Sequence, residues 1–231
     1  MKNRTRKPAA SRGGRATSVP TKNLTEQAYE QIKEKLISAQ YVPGQFLQET
    51  QVSSDLGLGR TPVHQALHRL QQEGLVEIIP RKGVLVRSDS LSEIFLALEA
   101  RALVEPYCAA QCAEKIRDHD LVALKEIYGS YEALRDSANT TKLMELDRQF
   151  HVKVAEATGN RLLADFLKSI HERMSRIWFL PLWQFHDFKL TGNEHGSLLA
   201  AIVNRDPKAA AEAMSAHIES LRRRIMEAGP G

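Results

Sequence analysis

The stretch Arg60-Thr61-Pro62-Val63-His64-Gln65-Ala66-Leu67-His68-Arg69-Leu70-Gln71-Gln72-Glu73-Gly74 decides how the chain is read. Val63, Ala66, Leu67 and Leu70 recur at i, i+3, i+4 and i+7, the spacing of one helix face, while Thr61, His64, Gln65, His68 and Gln72 fall on the other. Thr61-Pro62 reads as an N-cap followed by proline at the first helical position, where its missing N–H removes no bond, and Gly74 ends the segment. A short helix, apolar on one side and lined with imidazoles, amides and a threonine on the other, suits the DNA major groove, whose width admits a helix.

The flanking sequence completes a recognisable order. Upstream, Ala28, Ile32, Lys35 and Leu36 set a helical spacing from Leu24 to about Gln40, which Pro43-Gly44 breaks; a second helix spans about Glu49 to Leu56 and stops at Gly57. Downstream, Leu75 to Ile79 and Val84 to Arg87 are β-prone runs joined by Pro80-Arg81-Lys82-Gly83, a hairpin with a basic tip. Helix, helix, helix and wing make a winged helix-turn-helix over residues 23–88. Its candidate DNA contacts are Arg60, Thr61, His64, His68 and Arg69 on the third helix, and Arg81, Lys82 and Gly83 at the wing tip.

Charge is distributed unevenly along the 231 residues, whose 32 Lys and Arg against 28 Asp and Glu leave a formal +4. Residues 1–22 carry Lys2, Arg4, Arg6, Lys7, Arg12, Arg15 and Lys22 without one acid and without apolar periodicity, so they read as a disordered basic arm. The arm is expected to add sequence-independent, salt-dependent affinity for DNA, because residues 23–88 hold as many acids as bases. A hydrophobic content of 42% is enough for a core and excludes global disorder. Cys108 and Cys112, four apart in a helical pattern, point to the reducing cytoplasm, and no apolar run approaches the ~20 residues of a membrane span or follows the arm as an export signal.

From residue 89 to 231 long helical patterns alternate with breaks near Asp118, Ala138-Asn139, Gly159-Asn160, Pro181 to Asp187 and Asp206-Pro207, predicting an all-helical second domain of six or more helices. In the helix from Thr141 to Ala157, Leu143, Leu146, Phe150 and Val154 form a stripe with Asp147 and His151 beside it. His195 shares a stripe with Leu198, Leu199 and Ile202, and His217 with Met214, Ile218 and Leu221. A carboxylate and three imidazoles turned inward need ion pairs or a metal, and one Asp with three His suits zinc, nickel or a similar ion. His171, beside Leu167, Ile170 and Met174, remains a rival ligand or partner on periodicity alone; His119 and His186 sit in polar breaks. On the domain's first helix, with a stripe through Leu91, Phe95, Leu98, Ala102 and Cys108, Arg101 and Glu105 stand one turn apart. They read either as an i, i+4 ion pair or with Arg101 facing a cavity to receive a ligand carboxylate.

Gly44-Gln-Phe-Leu-Gln-Glu, Gly59 to Val76 and Arg81-Lys-Gly83 closely resemble the winged helix-turn-helix of the GntR family of bacterial transcription regulators, over about residues 24–87. That family usually shows Ser-Arg-Thr-Pro-Val-Arg-Glu-Ala-Leu with both arginines at the DNA, so the resemblance gives Arg60 and Thr61 that role. Gly59 and His64 depart from the pattern, and a neutral imidazole cannot make the bidentate guanine contact of a guanidinium. Asp147-Arg-Gln-Phe-His151, Gly159-Asn-Arg-Leu-Leu, Glu194-His195 and Met214-Ser-Ala-His217-Ile resemble the FCD effector domain of the FadR-type subgroup, over about residues 90–227. This resemblance implies a metal held by Asp147, His151, His195 and His217, a homodimer meeting a palindromic operator, and a small organic acid as effector. The chain is therefore expected to be mainly α, a winged helix-turn-helix followed by an FCD-type bundle. It is expected to act as a cytoplasmic ligand-responsive repressor with one divalent transition metal per chain, zinc ahead of nickel or manganese, and Arg101 at the effector. A metal-dependent enzyme fused to a DNA-binding head, and a regulator whose signal is the metal itself, are the alternatives.

Overall fold

The computed structural model describes residues 24–38, 40–87, 91–174 and 187–228. The basic arm, the boundary at Ser88-Asp89, His186 and most of the break from Pro181 to Asp187 lie outside the described residues. The elements run α1 (Leu24–Ile37), β1 (Phe46–Leu47), α2 (Glu49–Leu56), α3 (Arg60–Gln72), β2 (Val76–Ile79), β3 (Gly83–Val86), α4 (Leu91–Lys115), α5 (Asp118–Leu134), α6 (Thr140–Glu156), α7 (Arg161–Met174), α8 (Phe188–Val203) and α9 (Pro207–Ala228). The chain is mainly α, with one small antiparallel sheet among the described residues, beside the helix-turn-helix.

One apolar core lies among the first six elements. Ala28, Ile32 and Leu36 of α1 meet Val63, Ala66, Leu67 and Leu70 of α3, all without exposure, and Val84 and Val86 of the sheet close it. Gly57, at φ 63°, caps α2 in the left-handed conformation, its N–H reaching back to Ser53 and Ser54. Gly59, not Thr61, is the N-cap of α3, with extended φ −64° and ψ 158°. Arg60 and Thr61 are thus the first two helical residues and Pro62 the third, still within the turn whose amides lack intrahelical partners.

The sheet has the order β1-β3-β2 and includes a strand that periodicity does not reveal. β1 is two residues long, Phe46 opposite Leu85 and Leu47 opposite Val84, too short to display alternation. At Gly83, φ is 114° and a Cβ would stand 2.6 Å from the Leu47 carbonyl oxygen, so glycine there lets the two backbones meet.

A second core gathers α4, α5, α6, α8 and α9 around Ile94, Leu98, Leu124, Phe150, Leu198, Ile202, Met214 and Ile218. The expected breaks at Asp118, Asn139 and Asp206 all separate helices; Asn139 caps α6 by accepting from the Lys142 N–H. α4 departs from expectation in phase. Its buried side runs through Ile94, Leu98, Arg101, Glu105, Cys108 and Cys112, while Ala102 is exposed and Phe95 half-buried. The two charged residues therefore occupy core positions.

Candidate metal centre and DNA-reading face

Three helices bring their histidines to one point because each carries its histidine on an apolar stripe. His151 on α6, His195 on α8 and His217 on α9 are all sealed from solvent, with Asp147 at the edge of the same site. One ligand atom from each of these four residues lies within 4.8 Å of all the others. His195 Nε2 is 3.2 Å from His151 Nε2 and 3.4 Å from Asp147 Oδ1, and His151 Nε2 is 3.9 Å from the same oxygen. Glu105, His151 and His171 form a second, overlapping cluster.

The outer nitrogens say what the inner ones can do. His151 Nδ1 donates to Glu105 Oε2 at 2.6 Å and His217 Nδ1 donates to Glu194 Oε2 at 2.8 Å, since a carboxylate only accepts. In neutral rings both Nε2 atoms are then lone pairs, and His217 Nε2 is buried with no hydrogen-bond partner among the described residues. Lone pairs and a carboxylate aimed into one sealed space are costly without an electrophile between them. Carboxylates fixing the far nitrogens are how metal-binding histidines are oriented. The donor set fits a divalent transition ion.

Electrostatics favour the neutral, ligand-competent imidazoles but not the charged form of Asp147. Burial, reinforced by the neighbouring imidazoles and Arg101, holds His195 and His217 well below the ordinary histidine value, keeping them neutral. Burial pushes the Asp147 carboxyl up, against the pull of His151 and Arg101. Burial also opposes ionisation of Glu105, but Arg101, His151 and His171 outweigh it and keep this carboxyl well below its usual range. Burial and Arg101 push His171 down to about 3.

Glu105 is the residue that sequence reasoning underrated. It accepts from Arg101 Nε, from His151 Nδ1 and, at 2.9 Å, from His171 Nε2. This places His171 against the carboxylate that orients His151 and not among the four converging donors. Arg101 adopts the ion-pair arrangement, fully buried rather than on the helix surface; its Nη1 points to Met174 Sδ and its Nη2 has no partner among the described residues. Glu194 was legible only as the neighbour of His195; no pattern connects it to His217, 23 positions away.

In the winged helix-turn-helix, Arg60, Thr61, His64, Gln65 and His68 form one exposed face of α3, and Arg81 and Lys82 are exposed at the wing tip. Arg69 does not join them. Nine positions beyond Arg60, it lies about half a turn around the helix, where it pairs with Glu26 at 2.9 Å and lies 3.5 Å over the Tyr29 ring. Gly83 is half-buried at the β1 contact, a backbone requirement rather than a surface feature.

Two family models match different stretches of the chain. Residues 24–86 match the gntR family of bacterial regulatory proteins, and residues 96–220 match the FCD domain. The chain is 30% identical over 216 residues to the Uxu operon transcriptional regulator of Escherichia coli strain K12, covering 85% of this chain and 84% of that protein. It is 29% identical to the Exu regulon transcriptional regulator of the same strain, over 87% of this chain and 84% of the relative. Among solved structures, E. coli McbR/YncC superposes with a TM-score of 0.80 at 18% identity, over 90% of this chain and 99% of that one. The Uxu and Exu relatives are transcriptional regulators, and no helix among the described residues is long and apolar enough to cross a membrane. The chain belongs to the GntR family of bacterial transcriptional regulators, in the group that carries an FCD effector domain.

Proposed function

We propose that this regulator is a cytoplasmic repressor that binds a palindromic operator as a homodimer and answers to a small carboxylate through a metal held by Asp147, His151, His195 and His217. The observation that carries the reading is the pair of buried Nε2 lone pairs on His151 and His217, their other nitrogens fixed by Glu105 and Glu194, beside Asp147 and His195. Zinc is the first candidate, ahead of nickel and manganese. When bound, the ion supplies a positive centre for the oxygens of an acid. Arg101, with one nitrogen lacking a partner among the described residues, is the nearby cation suited to the effector's charge.

The reading head would use Arg60, Thr61, His64 and His68 in the major groove, with Arg81 and Lys82 on the backbone or minor groove and the basic arm, residues 1–22, adding salt-dependent affinity. A dimer is supported by an exposed apolar face on α4 and α7. Leu96, Leu103 and Tyr107 of α4 are 62%, 76% and 55% exposed, and Leu162 and Phe166 of α7 are 81% and 44% exposed. The effector would act by binding one arrangement of the dimer more tightly than the other.

The test begins with elemental analysis of the full chain, where about one ion per chain is expected. Chelation should lower Tm, and a panel of small carboxylates should raise it only for metal-loaded protein. His195→Ala and His217→Ala should lose metal, while His119→Ala, at an exposed imidazole on α5, should retain it. Metal-free protein whose Tm ignores chelators, or a full carboxylate response after the metal is removed, would overturn the reading.

A further inference from the structure

His64 stands where the family's usual arginine is replaced, and the structure holds its ring in one orientation. His64 Nδ1 lies 2.9 Å from Glu49 Oε1, across the turn between α2 and α3. Glu49 is the first residue of α2, where a carboxylate is favoured by the unpaired amides of the helix start. One turn further along α3, the His68 ring stands edge-on to His64 with centroids 4.5 Å apart. The His64 side chain remains 52% exposed, so the rest of its ring faces outward beside Thr61 and Gln65.

The contact with Glu49 fixes more than position. The carboxylate has no proton to give, so the hydrogen in this bond belongs to Nδ1. A neutral imidazole carries one N–H, and Nε2 is then an acceptor. In the major groove the only base-edge donors are the amino groups of adenine N6 and cytosine N4; guanine N7 and O6 and thymine O4 are acceptors. We infer that Glu49 is a specificity-determining residue: by fixing the His64 tautomer it makes this head select adenine or cytosine at the base facing Nε2, where an arginine would select guanine. This rests on the reading of α3 as the groove-facing helix, and it reverses the donor and acceptor logic at that position.

The experiment pairs two measurements on the full-length protein. Nitrogen NMR of the histidine rings at about pH 8, where an ordinary imidazole is neutral, should show His64 protonated at Nδ1 in the native protein and shifting toward Nε2–H in Glu49→Ala. Selection from a palindrome with randomised half-sites should show adenine or cytosine favoured at one position of each half-site, by roughly 2- to 12-fold for one hydrogen bond. In Glu49→Ala that preference should weaken and admit guanine or thymine, whereas Glu49→Gln, whose amide oxygen still accepts from Nδ1–H, should largely keep it. His64→Ala should abolish it. An Nε2–H tautomer in the native protein, or an unchanged preference in Glu49→Ala, would overturn the assignment to Glu49. An unchanged preference in His64→Ala would instead show that His64 does not read bases, with the NMR result standing apart from it.

Discussion

In the reading head the core holds no charged or imidazole side chain and the charged chemistry is outside; in the helical bundle the arrangement is inverted. Every fully buried charged or imidazole side chain among the described residues lies at Arg101 or beyond, and Arg101, Glu105, His151, His171, His195 and His217 lie at one locus. Arg60, His64, His68, Arg81 and Lys82 are exposed above a core of Ala, Val, Leu and Ile with Tyr29 and Tyr41. A head that reads a polymer must present its polar groups to water until DNA replaces it. A site for an ion and a small acid gains from dry surroundings, where each charge acts more strongly and each unpaired group is more expensive. Function and stability should therefore separate in the head and be inseparable in the bundle.

The largest expected effect is at Glu105. Removing it in Glu105→Ala leaves Arg101 buried without its ion-pair partner and frees both His151 and His171. Breaking a buried pair in this way is expected to destabilise by about 3–5 kcal/mol. Denaturant unfolding of the mutant measures it, and a loss below about 1 kcal/mol would mean that the interior charges are less dependent on one another than their geometry implies.

The head should give the opposite signature. Arg60→Ala is expected to weaken specific operator binding by about 1–3 kcal/mol and to change unfolding stability by no more than about 0.5 kcal/mol. Titrating operator and unrelated DNA in parallel distinguishes base reading from phosphate anchoring, for which the two would lose equally. A clear loss of stability in Arg60→Ala would break the contrast between the regions.

What the sequence disclosed follows the same contrast. Apolar spacing alone located Val63, Ala66, Leu67 and Leu70 as core, and it located the stripes bearing His151, His195 and His217, since each lies on one helix whose period is known. Arg69 lies about two and a half turns from Arg60 but only about one from Gln65, so spacing alone leaves it at the edge of the face, and its partner Glu26 is 43 positions away. A stripe of apolar residues alone gives α4 the wrong phase, because Arg101 and Glu105 occupy two of its buried places. β1, Glu105 as a shared acceptor and Glu194 behind His217 were not legible, because each is defined by a partner 23 or more residues away.

The smallest expected effect tests whether the two regions communicate. Lys33 of α1 places Nζ 2.7 Å from Glu172 of α7 and 2.9 Å from Glu73, which follows α3. Glu73 in turn accepts from the Tyr29 hydroxyl at 2.7 Å, and Arg69 lies over that ring. Glu172 is adjacent to His171, which donates to Glu105, so a chain of contacts runs from the interior site to the back of the reading helix. The Lys33 and Glu172 side chains are 15% and 10% exposed, partly shielded but not sealed. When Glu172 is removed, Lys33 keeps Glu73 and Tyr29, so most of its charge remains compensated. A double-mutant cycle of Lys33→Ala and Glu172→Ala should accordingly give a coupling of about 1 kcal/mol, the upper end for a surface pair. Coupling below about 0.3 kcal/mol, within the scatter of independent sites, would leave the head and bundle energetically separate at this contact and direct attention to their other connections.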